Sequence, residues 1–217
     1  MLARLSKAIV YTKLDIVAAF NRIHMAEGNE YKTAFRTCYG LFEYNVMPFS
    51  LYNMLSTFQN YINNALSKYL DIFCTAYLNN ILIYSDSTKE YCIHVRRVLD
   101  ALHAASLQAN IDKCKFEVTS IKYLGLIITT DGIRMDPEKV EAIKDWSLLR
   151  NLKDAQGLLG FANFYQRFIR DFSRITALIV ALTKKDTPFN YLLSCQAALD
   201  MLKDAFTQLP ILAHLAP

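Results

Sequence analysis

The chain has 217 residues, of which 53% are hydrophobic and 12% aromatic, and its formal net charge is +4. This composition excludes a disordered chain and predicts a packed globular protein with one sizeable core, or a core plus a smaller unit. A positive excess of this size is compatible with nucleic-acid binding but does not by itself indicate it.

Cysteine usage and the lengths of the apolar runs bear on the compartment. The 5 cysteines are scattered and never form a Cys-x-x-Cys pair, which argues against a zinc site or a disulfide framework and suits a reducing compartment. No apolar run reaches the roughly 18 residues that a membrane span requires, and the first residues lack the pattern of a secretion signal. We therefore expect an intracellular protein, in cytoplasm or nucleus, with no membrane partner.

The first part of the chain alternates strand and turn signals. Residues 9–15 are β-branched and aromatic and predict a strand that ends in an acid, Asp15. Residues 18–23 predict a short helix or turn, and residues 32–36 and 41–47 predict paired strands around a Tyr-Gly turn signal. A helix is predicted from about Ser56, as N-cap, through residue 66.

A hairpin is predicted next, with Asn79 and Asn80 at its turn and apolar strand residues on both sides. Residues 88–105 predict a helix whose apolar stripe contains Val95, Val98, Leu99 and Leu102. Residues 115–118 and 122–130 predict strands, closed by a Thr-Asp-Gly turn.

The predicted secondary structure changes near residue 133, from a mixture of strands and helices to mostly helices. Asp136 and Pro137 form a helix start, with the acid as N-cap and the proline at the first helical position. Helices are predicted at about 137–146, 153–170 and 195–208. The sequence thus predicts two parts, residues 1–133 and 134–217.

Three polar residues of the first part fit a site for metal-dependent chemistry. Asp15 ends the first predicted strand, and Asn79 and Asn80 occupy a hairpin turn. Two-metal polymerases hold their divalent ions with acids at the end of one strand and on a neighbouring turn, and Mg²⁺ prefers oxygen ligands. Taken alone, the asparagines are an ordinary turn pair, because asparagine tolerates a positive φ, and a lone Asp15 is more often a capping acid.

Several motifs in a fixed order resemble the reverse transcriptases of gypsy-like long-terminal-repeat retroelements. Residues 13–20 (KLDIVAAF) resemble the first catalytic block of that family, and residues 77–80 (YLNN) resemble its Tyr-x-Asp-Asp hairpin. The other matching stretches are 32–37, 44–51, 57–59, 123–125, 136–140, 159–169 and 184–189. The resemblance implies an α+β fold: a right-hand polymerase palm, with an antiparallel sheet packed on helices, followed by helical connection and thumb elements.

The resemblance also implies roles for individual residues. Asp15, Asn79 and Asn80 stand at the catalytic positions, with Asp15 as the Mg²⁺ ligand. Phe20, Phe49 and Ser50 stand at nucleotide-binding positions, and Leu124 and Gly125 in the primer-grip hairpin. Arg167, Arg170 and Arg174 suit a phosphate-tracking stripe of a thumb, or equally a solvated face. We expect Asp15, Asn79 and Asn80 to lie within about 8 Å of each other, a span that two metal ions could bridge.

The departures from the family pattern fall on important positions. Both hairpin carboxylates are carboxamides here, so two formal charges are lost and Asp15 remains as the obvious acid ligand. Ser50 stands where the family has glycine, and Leu55 where it usually has proline. We also expect the upstream fingers segment to be missing and a ribonuclease H domain to lie outside the 217 residues.

These observations predict a reverse-transcriptase-like fragment of a retroelement polyprotein. Its ancestral reaction is RNA-directed DNA synthesis with Mg²⁺, an RNA/DNA template-primer and deoxynucleotides, and we expect that reaction to be lost or impaired. Other polyprotein domains (fingers, ribonuclease H, integrase) are possible partners. The alternative is a co-opted scaffold whose former cleft binds a protein or small molecule. An enzyme with unrelated chemistry ranks last, because no residue pattern indicates it.

Overall fold

The computed structural model describes residues 5, 7–49, 51–185, 188–208 and 212–213. Contacts divide the chain into two units. The first runs to Tyr123 and includes Thr129–Asp131; the second comprises Leu124–Ile128 and Gly132–Ala213. The predicted ranges 1–133 and 134–217 remain a prediction, and the division by contacts begins the second unit earlier, at Leu124.

A four-stranded sheet forms the centre of the first unit. Its strands lie in the order β4-β5-β1-β6, with β1 at Val10–Asp15, β4 at Cys74–Tyr77, β5 at Asn80–Ser85 and β6 at Lys115–Val118. All three pairings are antiparallel. The β-branched and aromatic residues of β1 and β5 are those that fit a pleated, buried strand, so the predicted strand 9–15 and the predicted hairpin are confirmed.

Two helices cover one face of this sheet. They are α1 at Met54–Ala65 and α2 at Thr88–Ala104. Apolar residues four apart on α1, Phe58 and Ile62, are fully buried in one cluster with Leu14 and Ile81 of the sheet. The spacing of four places such residues on one face of a helix, and their burial anchors α1 against the sheet.

The start of α1 differs from the prediction. Asn53, and not Ser56, is the N-cap residue, and its side chain makes no capping hydrogen bond. Ser56 lies inside the first turn, where its hydroxyl donates to the Asn53 carbonyl oxygen at 2.9 Å. A serine hydroxyl can bond backwards to a carbonyl as well as forwards to an amide, so the residue type alone did not locate the cap.

Helix α2 is close to its predicted range, but its buried stripe is not as predicted. Ser87 is the N-cap and accepts from the Glu90 amide. Val98 and Leu102 are buried, whereas Leu99 is exposed and Val95 only partly buried. Tyr91, in the first turn of α2, is also buried. Its hydroxyl lies 2.7 Å from Thr12 Oγ1 of β1.

The exposed hairpin of the first unit is shorter than predicted. Its strands are β2 at Phe35–Thr37 and β3 at Gly40–Phe42, whereas Glu30–Thr33 forms a 3-10 turn. The Tyr44 amide donates to Thr33 Oγ1 at 2.8 Å. That donor is therefore not available to a partner strand, which explains why the ladder ends at Phe42 and not at residue 47.

Three further strands follow β6: β7 at Ser120–Tyr123, β8 at Leu126–Thr129 and β9 at Gly132–Met135. The predicted strand region 122–130 is thus interrupted at Leu124 and Gly125. In the second unit β9 pairs antiparallel with β10, Leu212–Ala213. The turn predicted at Thr130-Asp131-Gly132 joins β8 to β9.

Four described helices build the second unit: α3 at Pro137–Lys144, α4 at Leu152–Phe164, α5 at Phe172–Ala181 and α6 at Leu193–Thr207. The predicted start of α3 is confirmed, since Asp136 accepts from the Glu138 amide and a proline occupies the first turn. At the other end of α3, the Lys203 ammonium donates to the Lys144 and Trp146 carbonyl oxygens at 2.9 and 2.7 Å, which satisfies C-terminal carbonyls.

The predicted helix 153–170 is wrong over its last third. Helix α4 ends at Phe164, and a 3-10 turn, an extended Ile169 and a left-handed Asp171 (φ 55°) follow. Tyr165, Phe168, Ile169 and Phe172 are all buried, so the apolar pattern continues although the helix does not. For the same reason the pattern did not reveal α5 as a separate helix.

No described helix combines the length and the apolar character that crossing a lipid bilayer would require. The longest, α2, has 17 residues and a charged outer face.

Candidate active site

The structure brings Asp15, Asn79 and Asn80 together at one edge of the first unit's sheet. Asp15 is the last residue of β1 and faces Asn80, the first residue of β5, as its cross-strand partner. Directly opposed residues of an antiparallel pair place their side chains on the same face. Since the neighbouring Leu14–Ile81 pair faces the helices, Asp15 and Asn80 lie on the opposite face.

The three side chains form a chain of hydrogen bonds. Asn79 Nδ2 donates to Asp15 Oδ2 at 3.2 Å, and Asn80 Nδ2 donates to Asn79 Oδ1 at 3.1 Å. All three residues are half-buried. Each of these two contacts lies inside the predicted span of about 8 Å, and together they define the amide cluster: Asp15, Asn79 and Asn80.

The hairpin turn itself differs from the predicted one. Tyr77 pairs with Asn80, so the two central residues are Leu78 and Asn79, and Asn80 belongs to the strand. The positive φ of the turn, 51°, falls on Leu78 and on neither asparagine. Such a backbone costs a branched residue about 1–3 kcal/mol. The asparagines are therefore not explained by tolerance of the left-handed region.

Gln59 of α1 holds this strained turn. Its Oε1 accepts from the Leu78 amide at 2.8 Å, and its Nε2 donates to the Ala76 carbonyl at 3.2 Å. One side chain thereby bonds the backbone on both sides of Tyr77. Sequence reasoning placed Gln59 in a family block but assigned it no role, and only its position in that block marked it.

We expect Gln59→Ala to lower the free energy of unfolding by about 1–3 kcal/mol, because a strained, half-buried turn loses two hydrogen bonds. Urea denaturation monitored by circular dichroism measures the loss. Asn60→Ala is the matched control, since Asn60 is the exposed neighbour on the same helix and should change stability by less than about 0.5 kcal/mol. Equal effects of the two substitutions would contradict the assigned role.

An aromatic group lies in the same unit. The Phe20 and Phe49 rings meet edge to face with centroids 5.2 Å apart, and Phe20 packs in the same way on buried Phe58 at 5.3 Å. Phe49 is 67% exposed and borders an open depression of about 450 Å³. That depression is also lined by Asn21, Lys32, Thr33, Ala34, Phe35, Tyr44, Pro48 and Leu51. Ser50, the third residue of the predicted nucleotide site, lies outside the described residues.

The donors of the amide cluster do not fit a two-metal site. Over the described part of the chain, no group of three or more His, Cys, Asp or Glu side chains is arranged to hold a metal ion. Asp15 supplies the single carboxylate of the cluster, and one of its oxygens already accepts from Asn79. Mg²⁺ is held by oxygens, mainly of carboxylates and water, whereas the group that Asn79 turns toward Asp15 is an NH₂.

One cysteine of the first unit has a thiol whose pKa is strongly shifted by its surroundings. Cys74 is fully buried in β4, and burial raises the pKa of its thiol to about 12. A thiol held in its protonated form is a poor nucleophile.

The remaining predicted residues belong to the second unit. Leu124 and Gly125 both have a positive φ, 50° and 76°. A Cβ on Gly125 would approach the Tyr165 hydroxyl to 2.6 Å, so glycine is required there. Arg167, Arg170 and Arg174 are all exposed, but Arg167 lies in a 3-10 turn, Arg170 in a loop and Arg174 in α5. Arg174 lies 3.7 Å from Asp171. They do not form a stripe on one helix.

Comparison with known proteins agrees with this architecture. Residues 1–128 match the family model described as reverse transcriptase (RNA-dependent DNA polymerase). Since the match covers more than half of the 217 residues, the chain belongs to the reverse transcriptase family.

Relatives of known sequence are transposon polyproteins. The chain is 35% identical over 183 residues to the retrovirus-related Pol polyprotein from transposon opus of Drosophila melanogaster, covering 84% of this chain and 18% of that protein. It is 32% identical over 214 residues to the transposon Tf2-7 polyprotein of Schizosaccharomyces pombe, covering 99% of this chain and 16% of that protein. The chain thus spans less than a fifth of the length of these relatives.

Solved structures show the same fold at lower identity. The foamy viral protease-reverse transcriptase in complex with an RNA/DNA hybrid superposes with a TM-score of 0.81 at 19% identity, over 98% of this chain and 30% of that chain. A structure of the same protein in complex with double-stranded DNA superposes with a TM-score of 0.83 at 18% identity, over 99% of this chain and 38% of that chain. The predicted α+β polymerase fold is therefore confirmed.

Proposed function

We propose that this chain is the palm-to-thumb part of a gypsy-like retroelement reverse transcriptase that has lost most or all of its polymerase activity. The observation that carries the proposal is the amide cluster. It occupies the edge of a reverse-transcriptase fold where the resemblance places the catalytic acids, yet it retains one carboxylate. Asp15, Asn79 and Asn80 thus stand at the catalytic positions of a degenerate site.

This chain offers few ligands for the divalent metal ion that the ancestral reaction uses. A bound divalent ion would supply charge neutralisation at the reacting phosphate and activation of the attacking hydroxyl. Of the three residues of the amide cluster, Asp15 alone carries a charge suited to hold it. Its carboxylate instead accepts from the Asn79 amide at 3.2 Å, so we propose that Mg²⁺ binding is weak.

We propose that binding of an RNA/DNA template-primer is retained inside the cell. The relatives are polyproteins, so fingers, ribonuclease H and integrase parts are further proposed partners. Support for binding comes from the exposed Arg167, Arg170 and Arg174 and from the aromatic residues at the depression beside Phe49, because cations track the phosphate backbone and aromatic rings stack on bases.

Fluorescence anisotropy with a labelled RNA/DNA template-primer tests this proposal. We expect binding that weakens as salt rises from 50 to 200 mM, and the combined change of Arg167, Arg170 and Arg174 to alanine should flatten the salt slope by about one per lost phosphate contact. Arg150→Ala is the matched control, because Arg150 is an exposed arginine of the same unit outside the predicted set.

The second candidate is a co-opted scaffold, and the exposed aromatic surface of β2 and β3 favours it. Phe35 packs against Phe42 and Tyr44, with ring centroids 5.9 and 5.1 Å apart, and all three remain at least 40% exposed. A group of this kind suits a protein or small-molecule partner. Absence of template-primer binding at 50 mM salt would reject the first proposal and favour this one.

A further inference from the structure

We propose that Asn79 locks the catalytic hairpin to the end of β1 by its hydrogen bond to Asp15, that Asn80 orients the Asn79 amide for this bond, and that the first unit is thereby stabilised there without a metal ion. The substituted amides are thus a working structural element and not only the loss of two ligands. The inference concerns stability and does not depend on nucleic-acid binding.

The direction of each hydrogen bond follows from chemistry. A carboxylate oxygen can only accept, so the side of Asn79 that faces Asp15 must be its NH₂ group. Its carbonyl oxygen then points away and accepts from Asn80 Nδ2 at 3.1 Å. Asn80 therefore donates to Asn79, Asn79 donates to Asp15, and the single negative charge lies at the accepting end of this ordered chain.

Charge explains why this arrangement is stable without a cation. Carboxylates at all three positions would place like charges a few Å apart at a half-buried edge, where their repulsion is stronger than in bulk water. A divalent ion would normally relieve that repulsion. The amides remove two of the charges, and Asn79 also donates a hydrogen bond to the third, so the site needs no cation to balance repelling carboxylates.

Backbone contacts hold the elements in place independently of these side chains. The Ile16 amide donates to the Asn79 carbonyl oxygen, and the Asn110 amide donates to the Asp15 carbonyl oxygen, both at 2.8 Å. Asn80 also remains paired with Tyr77 and Asp15 in the sheet. Substitutions at the side chains should therefore change stability while the fold is kept, which makes the inference measurable.

The test is thermal unfolding of the chain and three variants in chelator. Asn79→Asp replaces the hydrogen bond to Asp15 with repulsion between two carboxylates. It should lower Tm by about 3–8 °C for a chain of this size. Asp15→Asn keeps a neutral hydrogen bond and should lower Tm by less. The double swap, Asp15→Asn with Asn79→Asp, restores one amide donor and one carboxylate acceptor, and should recover at least half of the loss.

Magnesium supplies the second arm of the test. The parent chain should have the same Tm with 10 mM Mg²⁺ as with chelator, to within about 1 °C. The combined Asn79→Asp and Asn80→Asp variant should be less stable than the parent in chelator and should gain Tm when Mg²⁺ is added, because binding to the folded state alone stabilises it. Asn60→Asp, an exposed position on α1, is the matched control and should respond to neither.

Three results would overturn the inference: a Tm of Asn79→Asp equal to that of the parent in chelator, a swap no more stable than Asn79→Asp, or a parent chain that Mg²⁺ stabilises as much as it does the variant with both acids. If Asn79→Asp does not fold, the test rests on the double swap. A cooperative unfolding transition of the double swap supports the inference, and the absence of such a transition rejects it.

Discussion

The chain should extend a primed RNA template no faster than background in the presence of Mg²⁺ and deoxynucleotides. Electrostatic stabilisation at the reacting centre commonly contributes 10²–10³-fold per lost group, so the loss of two carboxylates should lower the rate by at least about 10³-fold. Asp15 also accepts from Asn79 in this structure. Single-nucleotide incorporation, followed by gel electrophoresis over hours, measures the residual rate.

The variant with Asn79→Asp and Asn80→Asp is the comparison for that experiment. We expect it to gain Mg²⁺ affinity, which isothermal titration calorimetry measures directly. Full recovery of synthesis is not expected, because Ser50 still stands where the family has glycine. Asn60→Asp adds an acid on exposed α1 and controls for net charge. Robust incorporation by the unmodified chain, at a rate close to that of the variant, would refute the proposed loss of activity.

Replacing Phe58 by alanine should lower the free energy of unfolding by about 3–5 kcal/mol, since deletion of a buried aromatic ring leaves a cavity that closes only in part. Phe58 is fully buried, and its ring supports Phe20, whose ring in turn contacts Phe49. Urea denaturation monitored by circular dichroism measures the loss.

Leu55→Ala is the matched control for Phe58→Ala. Leu55 lies one turn earlier on α1 and is 52% exposed, so its truncation should cost less than about 1 kcal/mol. A loss below about 1 kcal/mol for Phe58→Ala would show that the site around Phe58 collapses freely, contrary to its close packing.

Much of the first unit could be predicted because its signals are local. The strand that ends at Asp15 and the helix that follows Ser87 are set by runs of suitable residues and by contacts within one turn. Asp136 was predicted as a cap for the same reason, since it accepts from an amide only two residues further on. Such interactions require only the neighbouring sequence.

The spacing of apolar residues indicated which side chains are buried, but it did not indicate the path of the backbone. Tyr165, Phe168 and Phe172 continue the apolar spacing of α4 and are buried. The chain nevertheless leaves the helix at Phe164 and passes through a left-handed Asp171 before α5 begins. An apolar residue can be buried from a helix or from a turn, so its spacing does not distinguish the two. Of the two interpretations left open for Arg167, Arg170 and Arg174, a stripe on one helix does not match the structure, whereas an exposed face does.

The sequence by itself determined the fold class and the identity of the three polar residues, because these depend on residue type and order. Only the tertiary structure decided how those residues interact. Asp15 and Asn79 meet across 64 positions, and the positive φ at Leu78 is held by Gln59, 19 positions away. Contacts of this kind depend on how β1, β4, β5 and α1 pack, and no local propensity specifies the direction in which an amide donates until its acceptor is in place.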